Sequence, residues 1–503
     1  MARRRLHFGR RGPRRPDRLL AAACLGAMAA AGQAPLGFWW LTLPALWLLT
    51  WLVTLPEDTR GTAALGWAAG AGYFAASMFW IMDPFYVDPA RDGWMAPFAL
   101  VGMAGGMAIF WGLAGALAGW LGGRDRTGRA LGFAVGLAFT GLLRSYVLTG
   151  LPWALVGHVW VGTWVAQADA VVGPIGLSLL TTLAAAAPVA FGLVRGGLLV
   201  WALLGSAVAF GGWRLRQPDP PARPQIVRLV QPNAAQSLKW RPDMAPVFFR
   251  RLLAETEAPG KRDLTIWPET SVPFLLNRAG AGLGIIAEAG QGAPVALGIQ
   301  RTEGFRAYNS LAVIQPDGRV GAVYDKHHLV PFGEYIPLGN LFYDLTGVPT
   351  YAPSQGYGYS PGPGPQVLDL GALGHVLPLI CYEGIFPQDL RTGRRPDWIV
   401  QITDDGWFGT LAGPYQHLAQ VRLRAIGQGL PILRVANTGV TAVIDAKGRV
   451  LKSLPLDTQG HIDTAIPGAL APTPYSRTGD WPMLAILLAA GAGIVSRRRR
   501  LGH

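Results

Sequence analysis

Charged residues are scarce in this sequence. Asp, Glu, Lys and Arg make up 15% of the 503 residues, while half of the chain is hydrophobic. A typical soluble domain carries about 25% charged residues, so a soluble protein of this length would need more polar surface. The shortage predicts several apolar membrane spans joined to a domain that holds most of the charge.

Cysteine and lysine are rarer still. The chain has two cysteines, Cys24 and Cys381, which are too few for a disulfide framework. Cys24 lies in an apolar run and is expected to be an ordinary helix residue. All five lysines follow residue 238, so the apolar N-terminal part contains none. The sequence also has no Walker A motif.

The net charge of +14 lies mainly at the two ends of the chain. Residues 1–18 contain eight arginines and one aspartate, and residues 497–500 are four more arginines. Both clusters border apolar runs. Basic residues beside membrane spans mark the cytoplasmic side. The charge therefore indicates membrane topology, and no nucleic acid is expected as a partner.

Eight apolar runs are long enough to be compared with a spanning helix, which needs about 20 residues. Residues 19–56 carry no charge, and residues 32–35 break this stretch, so it is interpreted as two short spans in a hairpin. The other predicted spans cover residues 61–82, 93–123, 130–150, 170–194, 196–213 and 481–496.

The loops between these spans predict the orientation of the chain. If the N-terminal arginines are cytoplasmic, the loop at 124–129, which contains three arginines, is also inside, as the positive-inside rule requires. Residues 214–480 then lie outside and residues 497–500 return to the cytoplasm. The alternative, a cleaved signal peptide within residues 1–34, would place the loop at 124–129 outside.

The predicted outer segment has a different character from the spans. Short β-rich runs end in turn residues, and helical stretches near 244–257 and 414–429 lie between some of them; the runs are QIVRLVQPN, DLTIWPET, PVALGIQ, YNSLAVIQPDG, HVLPLICYEG, DWIVQITDDG, PILRVANTG and TAVIDAKGRV. Several runs are continuously apolar, as in strands buried on both faces. The expected organisation is an N-terminal membrane domain of about seven helices (1–213), an α/β domain (214–480) and a C-terminal spanning helix with its arginine tail (481–503).

Three side chains with catalytic chemistry stand at or just beyond predicted strand ends, where α/β sheets usually present reactive groups. Glu269 ends TIWPET, Lys326 lies in VYDKHHLVPFGEY, and Cys381 follows HVLPLI. Taken singly, each has an ordinary explanation: a small core cysteine, a solvated lysine and a helix-capping glutamate. Their joint rarity favours a shared site, because Cys381 is one of two cysteines and Lys326 one of five lysines.

The order WPE, YDKHHLVPFGEY and CYE resembles the nitrilase superfamily and its Glu–Lys–Cys triad. With seven spans before these motifs, one after them, and the segments DGWFG and ANTG, the chain resembles the apolipoprotein N-acyltransferases, the membrane-embedded branch of that superfamily. The resemblance implies an α-β-β-α sandwich on a polytopic helical membrane domain of about eight spans. It also implies supporting roles for Trp240, Glu334, Tyr382 and Glu383.

The resemblance further implies the substrates and the location. The acyl donor would be a membrane glycerophospholipid, and the acceptor the α-amine of the S-diacylglyceryl cysteine that begins an apolipoprotein. The enzyme would lie in the bacterial cytoplasmic membrane, with a periplasmic catalytic domain and both termini cytoplasmic. We expect no cofactor, no metal and no partner subunit.

Elementary chemistry assigns a role to each member of the triad. A thiol with a pKa of about 8.5 is a weak nucleophile until a base removes its proton. Glu269 is expected to take that proton, and Cys381 to attack an acyl carbonyl. Lys326 and a backbone N–H near Tyr382 would stabilise the oxyanion. The product would be a thioester, which an amine can convert into a stable amide without ATP.

Two positions depart from the pattern that the resemblance implies. Asp404 stands where the family usually has Asn, and Gly427 where a Glu is common; both affect the expected shape of the acyl pocket. Residues 335–365 form a long loop rich in glycine, proline and aromatics, which we interpret as a lid. The aromatics are Phe342, Tyr343, Tyr351, Tyr357 and Tyr359.

Two motifs are interpreted as decoys. Residues 358–362 spell G-x-S-x-G, but the prolines at 361, 363 and 365 prevent the helix that a nucleophile elbow needs. His327 and His328, with Asp404 and Asp405, suggest a metal site; adjacent histidines on an extended segment are expected to point to opposite faces.

Two other functions remain compatible with the sequence. A membrane-tethered amidase would use the same triad with water as the acceptor. A transporter or receptor with an outer binding domain would explain the spans, although ionisable groups within them are nearly absent.

Overall fold

The computed structural model describes residues 15–56, 58–337 and 358–502. Helices occupy all eight stretches that were predicted as spans. In chain order these eight helices are α1 Arg15–Ala30, α2 Trp39–Val53, α3 Thr59–Ser77, α5 Ala96–Gly122, α6 Arg126–Tyr146, α7 Asp169–Phe191, α8 Leu193–Arg216 and, at the C-terminus, α13 Trp481–Arg500; the short α4 Pro89–Asp92 lies between α3 and α5, outside the predicted stretches.

The number of membrane spans is smaller when length and apolarity are both required. Within the described residues, three helical stretches are long and apolar enough to cross a bilayer: Pro89–Gly122, Trp164–Phe191 and Leu193–Arg216. A fourth is gained if α3 and the 3-10 helix Phe79–Tyr86, which are bent by 47°, count as one span. The predicted count of eight is therefore not confirmed, because helices such as the 15-residue α2 are short.

Glycine allows α3 and α5 to pack with their backbones in close contact. A Cβ atom on Gly66 would lie 2.3 Å from the carbonyl oxygen of Trp111, and one on Gly115 would lie 2.2 Å from that of Thr62. Small residues at helix interfaces are how apolar helices gain packing energy in a membrane. The high glycine content thus includes residues that the helical region needs for packing.

The segment between α8 and α13 contains two six-stranded sheets. The strands are β1 Ile226–Gln231, β2 Leu264–Ile266, β3 Val295–Glu303, β4 Arg306–Ile314, β5 Val320–Asp325, β6 Leu368–Asp369, β7 His375–Ile380, β8 Trp398–Thr403, β9 Ile432–Ala436, β10 Thr441–Ile444, β11 Val450–Leu454 and β12 Gly460–Ala465. One sheet has the order β12-β1-β2-β3-β4-β5 and the other β11-β10-β9-β8-β7-β6. Each sheet contains three neighbouring parallel strands, β1–β3 and β7–β9.

The two sheets face each other and helices cover their outer faces. Residues such as Ile266 and Val400 from the facing sheets share one apolar core. The first sheet packs its other face against α9 Ala245–Glu257 and α10 Gly282–Ala289. The second packs against α11 Gly413–Gln428, and the short α12 Pro474–Thr478 leads to α13. This is the α-β-β-α sandwich expected from the sequence.

The apolar runs predicted the interior strands well. Each of the eight runs contains a strand, and the helices near 244–257 and 414–429 are α9 and α11. TAVIDAKGRV, however, holds two strands, because Asp445 and the positive φ of Gly448 (75°) form a turn between β10 and β11. The half-exposed edge strand β5 and the exposed β11 lack the continuous apolar pattern of the interior strands.

Candidate active site

The three predicted catalytic residues lie at one edge of the sandwich. Glu269 follows β2, Lys326 follows β5 directly, and Cys381 follows β7 directly. Strands β2, β5 and β7 present their carboxyl ends at this edge, and all three side chains are buried. The Lys326 ammonium interacts electrostatically with both Glu269 and Cys381. The structure therefore brings together residues that lie up to 112 positions apart, from Glu269 to Cys381, on two different sheets.

Glu269 is held by hydrogen bonds to both of its carboxylate oxygens. Oε1 accepts from Asn309 Nδ2 at 2.7 Å, and Oε2 accepts from the Asp404 backbone N–H at 2.8 Å. A tight turn, with Thr270 at φ 43°, follows the glutamate. Gly298 makes room for that turn, because a Cβ there would lie 2.5 Å from the Glu269 Cα.

Lys326 lies between two carboxylates. Its Nζ donates to Glu334 Oε1 at 2.8 Å and lies 3.8 Å from Glu269 Oε1. Glu334 is oriented in turn, since its Oε2 accepts the Val330 backbone N–H at 2.8 Å. The predicted role of Glu334, holding the ammonium in place, agrees with this geometry.

Cys381 stands at a strained backbone position. Its φ of 51° lies in the left-handed region, which residues other than glycine seldom adopt. Residues held in this conformation are concentrated at functional sites. The 3-10 helix Cys381–Ile385 starts here. Gln401 Nε2 donates to the Cys381 carbonyl oxygen at 3.0 Å and so fixes this backbone.

Burial and charge set the protonation states of the three residues. Burial raises the pKa of Glu269, and Glu334 and Asp404 add to the effect against the opposing Lys326. Burial and then Glu269 raise the pKa of the Cys381 thiol. Burial alone would lower the Lys326 pKa, but Glu334, Glu269 and Cys381 outweigh it and raise the pKa. The resting site therefore combines a neutral thiol, an ammonium and a carboxylate of increased basicity.

Glu383 joins the segment after Lys326 to the segment of Cys381. Its carboxylate is fully buried and accepts hydrogen bonds from the backbone N–H groups of Ile380, His327 and His328 at 2.7, 2.8 and 3.2 Å. The Tyr324 hydroxyl donates to it at 2.8 Å. These hydrogen bonds connect the backbone after Lys326 and the backbone before Cys381 to one carboxylate.

Tyr382 and His328 connect the site to the helical region. The Tyr382 hydroxyl donates to the carbonyl oxygen of Gly150 at 3.2 Å, and His328 Nε2 lies 2.7 Å from that of Thr149. Both carbonyls belong to the loop that follows α6. These contacts link the segments of the nucleophile and the lysine to the helical region.

Trp240 lies at the border of the site. It is about half exposed (47%), and the Lys239 ammonium lies 5.2 Å from its ring centroid. Trp240 lines a small open cavity with Phe248, Leu252 and Pro268. The last of these immediately precedes Glu269, so Trp240 lies near the site without being part of its hydrogen-bond network.

Sequence reasoning missed a buried network below Cys381. Arg434 binds Asp405 and donates to Gln401 Oε1 at 2.5 Å, and His417 Nδ1 lies 2.9 Å from Asp405 Oδ1. Burial alone would raise the Asp405 pKa, but Arg434 and His417 lower it. Arg434 lies within the apolar run PILRVAN, and a charged residue inside a buried strand is the signal that could have revealed it.

The two predicted decoys have different outcomes. Residues 358–362 contain neither helix nor strand, as expected from their prolines. The expectation that His327 and His328 point apart is wrong, because the two rings converge on Asp389. His328 Nδ1 lies 2.8 Å and His327 Nε2 3.4 Å from Asp389 Oδ2. Asp389 and Glu383 raise the His327 pKa to about 9 although burial opposes this.

These rings already have partners on their other nitrogens. His327 Nδ1 lies 2.7 Å from Glu383, and His328 Nε2 contacts Thr149. His327, His328 and Asp389 each offer one potential metal-ligand atom, and these atoms lie within 4.8 Å of one another. Within the described residues, this is the group of His, Cys, Asp or Glu side chains close enough to hold a metal ion. Asp404 and Asp405 are not part of it. Its contacts assign it to joining the segments around the site.

The predicted lid falls mostly outside the described residues. Phe342, Tyr343, Tyr351 and Tyr357 lie in the stretch 338–357, for which no structure is described. Tyr359 follows that stretch. Its backbone N–H donates to the Glu334 carbonyl oxygen at 2.9 Å, and its hydroxyl accepts from Gln300 Nε2 at 2.5 Å.

Two facing sheets bring a buried Glu, Lys and Cys together at one edge. Residues 227–475, which contain both sheets, match the family model described as carbon-nitrogen hydrolase, so this part of the chain is a carbon–nitrogen hydrolase domain. Residues 25–187 match the apolipoprotein N-acyltransferase N-terminal domain. The chain belongs to the apolipoprotein N-acyltransferase family.

Curated relatives carry that family name over nearly their whole length. The relative from Rhodopseudomonas palustris is 37% identical and the alignment covers 96% of this chain and 95% of the relative. Those from Brucella melitensis and Caulobacter vibrioides are 35% and 36% identical, with 97% and 96% of this chain and 97% and 94% of the relatives covered. Among solved structures, an amidase from Nesterenkonia sp. aligns with 54% of this chain and 98% of its own at 15% identity and a TM-score of 0.35.

Proposed function

We propose that this chain transfers an acyl group from a membrane glycerophospholipid to the α-amine of the N-terminal S-diacylglyceryl cysteine of apolipoproteins. The family membership supports the reaction type. The observation that carries the mechanism is the convergence of Glu269, Lys326 and Cys381 in one buried site. No cofactor or metal takes part in the proposed reaction.

In the first half-reaction, the Cys381 sulfur attacks an ester carbonyl of the phospholipid while Glu269 accepts the thiol proton. The carbonyl oxygen becomes an oxyanion, which the Lys326 ammonium and a backbone N–H near Tyr382 stabilise. Loss of one such donor typically lowers the rate by about 10²–10³-fold. The ester C–O bond then breaks, Glu269 returns the proton to the leaving oxygen, and a lysophospholipid departs. The acyl group remains on Cys381 as a thioester.

In the second half-reaction, the acceptor amine attacks the thioester carbonyl. Glu269 removes a proton from the attacking nitrogen, the C–S bond breaks, and the thiolate regains the proton. The products are an amide and the free enzyme, so the ping-pong cycle needs no ATP. The raised pKa of Glu269 suits a group that must both accept and return a proton.

The supporting residues act through the triad or at its border. Glu334 orients Lys326, while Glu383 and Tyr382 fix the backbone around Cys381. Trp240, exposed beside the site, is proposed to contact an acyl chain. The loop at 335–365 is proposed to act as a lid.

The topology is proposed on the arginine distribution and the eight helices. The enzyme would span the bacterial cytoplasmic membrane eight times as a monomer, with both termini cytoplasmic. The proposed divisions are 1–213, 214–480 and 481–503. The middle part would be periplasmic, where both lipid-anchored substrates can reach the site from the bilayer surface.

An acyl-adduct experiment tests the reaction. The purified membrane enzyme is incubated with phospholipid, and the peptide containing Cys381 is examined by mass spectrometry before and after a diacylated lipopeptide is added. We expect an acyl adduct that disappears as the triacylated product forms. The adduct should be absent in Cys381→Ser and Glu269→Gln and present in Cys24→Ser.

The outcomes separate the competing functions. An adduct that hydrolyses without forming an amide would indicate a membrane-tethered amidase. Absence of any adduct, with both folded enzyme and phospholipid present, would reject the acyltransferase mechanism and leave the transporter or receptor interpretation.

A further inference from the structure

A second lysine, Lys239, lies beside the catalytic site without belonging to the triad. It follows β1 in a turn in which its backbone N–H donates to the Ala235 carbonyl oxygen at 2.9 Å. Its side chain is buried, and its Nζ lies 2.5 Å from Asp404 Oδ2. A buried lysine needs a partner of this kind, because an unpaired charge is costly in an apolar interior.

The Lys239–Asp404 ion pair touches Glu269 at two points. The Asp404 backbone N–H donates to Glu269 Oε2 at 2.8 Å, and Lys239 Nζ donates to the Glu269 carbonyl oxygen at 3.3 Å. Asn437 Nδ2 donates to the remaining carboxylate oxygen of Asp404 at 3.0 Å. Both partners of the ion pair are therefore fixed, and the pair holds the backbone and one oxygen of the base.

The charges around Glu269 explain why such a pair is needed. Asp404 raises the pKa of Glu269, as Glu334 does. The Lys239 ammonium offsets the negative charge of Asp404. Without Lys239, Asp404 would raise the pKa of Glu269 further. The titratable or charged groups that face Glu269 are Lys326, Glu334, Cys381, Tyr359, Asp404 and Lys239.

We infer that Lys239 and Asp404 form a positioning ion pair that sets the pH range in which Glu269 acts as the base toward Cys381. The role of Glu269 as base rests on the proposed function. Because the pair is neutral as a unit, removal of either member leaves a single buried charge next to the base. The two removals must then shift the apparent pKa of the Glu269–Cys381 pair in opposite directions.

The sign of each change follows from the charge that remains. Asp404→Asn removes a negative charge and leaves Lys239, so the apparent pKa of the coupled Glu269–Cys381 pair falls. Lys239→Met removes the positive charge and leaves Asp404, so the apparent pKa rises. An ionised neighbour within about 4–6 Å typically moves a pKa by about 1–3 units. We expect about one unit in each direction, and a return toward the wild-type value in the double variant.

The pH dependence of Cys381 alkylation tests this without any lipid substrate. The full-length enzyme in detergent, in a Cys24→Ser background, is treated with iodoacetamide across a pH series, and the Cys381 adduct is quantified by mass spectrometry. The midpoint should shift to lower pH in Asp404→Asn and to higher pH in Lys239→Met. Lys261→Met removes an exposed lysine and should leave the midpoint unchanged.

Unchanged midpoints in both single variants would overturn the inference, as would shifts in the same direction. If Lys239→Met fails to fold, the isosteric Asp404→Asn decides the question alone. Acyl transfer by the wild type is measured in parallel. Opposite midpoint shifts without any acyl transfer would reject the proposed function and keep the role of the ion pair. Acyl transfer with unchanged midpoints would keep the proposed function and reject the role of the ion pair.

Discussion

The helical region and the outer domain bury their charged side chains in different ways. In the helical region, Arg129 and Arg144 donate to backbone carbonyl oxygens, Arg144 to Leu151 and Trp153 at 2.5 and 2.7 Å. Around the candidate site in the outer domain, three buried cations face carboxylates: Lys326 faces Glu334, Lys239 faces Asp404, and Arg434 faces Asp405.

This difference separates structure from chemistry. A guanidinium that donates to carbonyl oxygens satisfies backbone groups where the chain leaves a helix. Paired charges in a dry site instead shift one another's pKa values and can exchange protons. The comparison predicts that changes in the outer pairs alter the rate, whereas changes in the helical arginines alter stability.

The strongest test of the chemical side is removal of the nucleophile. Cys381→Ala should reduce acyl transfer below detection, because the thioester cannot form; loss of a catalytic nucleophile commonly costs about 10⁴–10⁶-fold in rate. Its thermal unfolding temperature should stay close to that of the wild type. Cys24→Ser, which changes a cysteine of the helical region, is the control and should retain full activity. Substantial activity in Cys381→Ala would break the assignment of chemistry to the outer domain.

A smaller loss is expected from the carboxylate that orients Lys326. Glu334→Gln removes the charge 2.8 Å from Lys326 Nζ while keeping the shape of the side chain. We expect kcat to fall by about 10²-fold, in the range for a misplaced oxyanion donor. Glu303→Gln is the matched control, because Glu303 is an exposed carboxylate of the same domain. Equal effects of the two substitutions would contradict the proposed role.

The pH profile gives a third test of the same region. Burial raises the pKa of Glu269, so the base is ionised only above that raised value. Acyl transfer should therefore decline as the pH falls through it, at a higher pH than an ordinary glutamate, whose pKa is about 4.3, would give. The kcat/KM of the wild type across a pH series measures this limb. A profile that stays flat down to the ordinary range would argue against Glu269 as the base.

The sequence predicted the parts of this site that follow parallel strands. Glu269 and Cys381 are the first polar side chains after apolar runs, and parallel strands place their carboxyl ends at a shared edge. Asn309 was missed because it lies near the amino end of β4, which runs antiparallel to β3, and no sequence motif marks it. Lys239 was missed because its partner, Asp404, lies 165 residues away, and only folding brings them together.

The helical region was predicted in position but not in the number of spans. Apolar runs located the long helices, because their composition distinguishes them from loops, but not the short α4 Pro89–Asp92, which lies between two predicted spans. Their lengths depend on where the helix backbone breaks. Gly173, for instance, has a non-helical φ of 65° inside α7, and a Cβ atom there would lie 2.2 Å from the Tyr475 ring. Such tertiary contacts cannot be inferred from hydropathy.

The smallest expected effect concerns the structural side of the comparison. Arg144→Met removes two hydrogen bonds to the backbone between α6 and the following 3-10 helix Val156–Trp160, and it leaves the carbonyl oxygens of Leu151 and Trp153 without this donor. Hydrogen bonds to a charged group contribute about 1.5–3 kcal/mol, so the thermal unfolding temperature in detergent should fall. The kcat of the folded fraction should change less than about twofold, since both of these hydrogen bonds go to backbone carbonyl oxygens and neither goes to a triad residue. Arg124→Met, at a more exposed position, is the control. A large fall in kcat at unchanged stability would show that the helical arginines also take part in the chemistry, through the Gly150 loop that Tyr382 contacts.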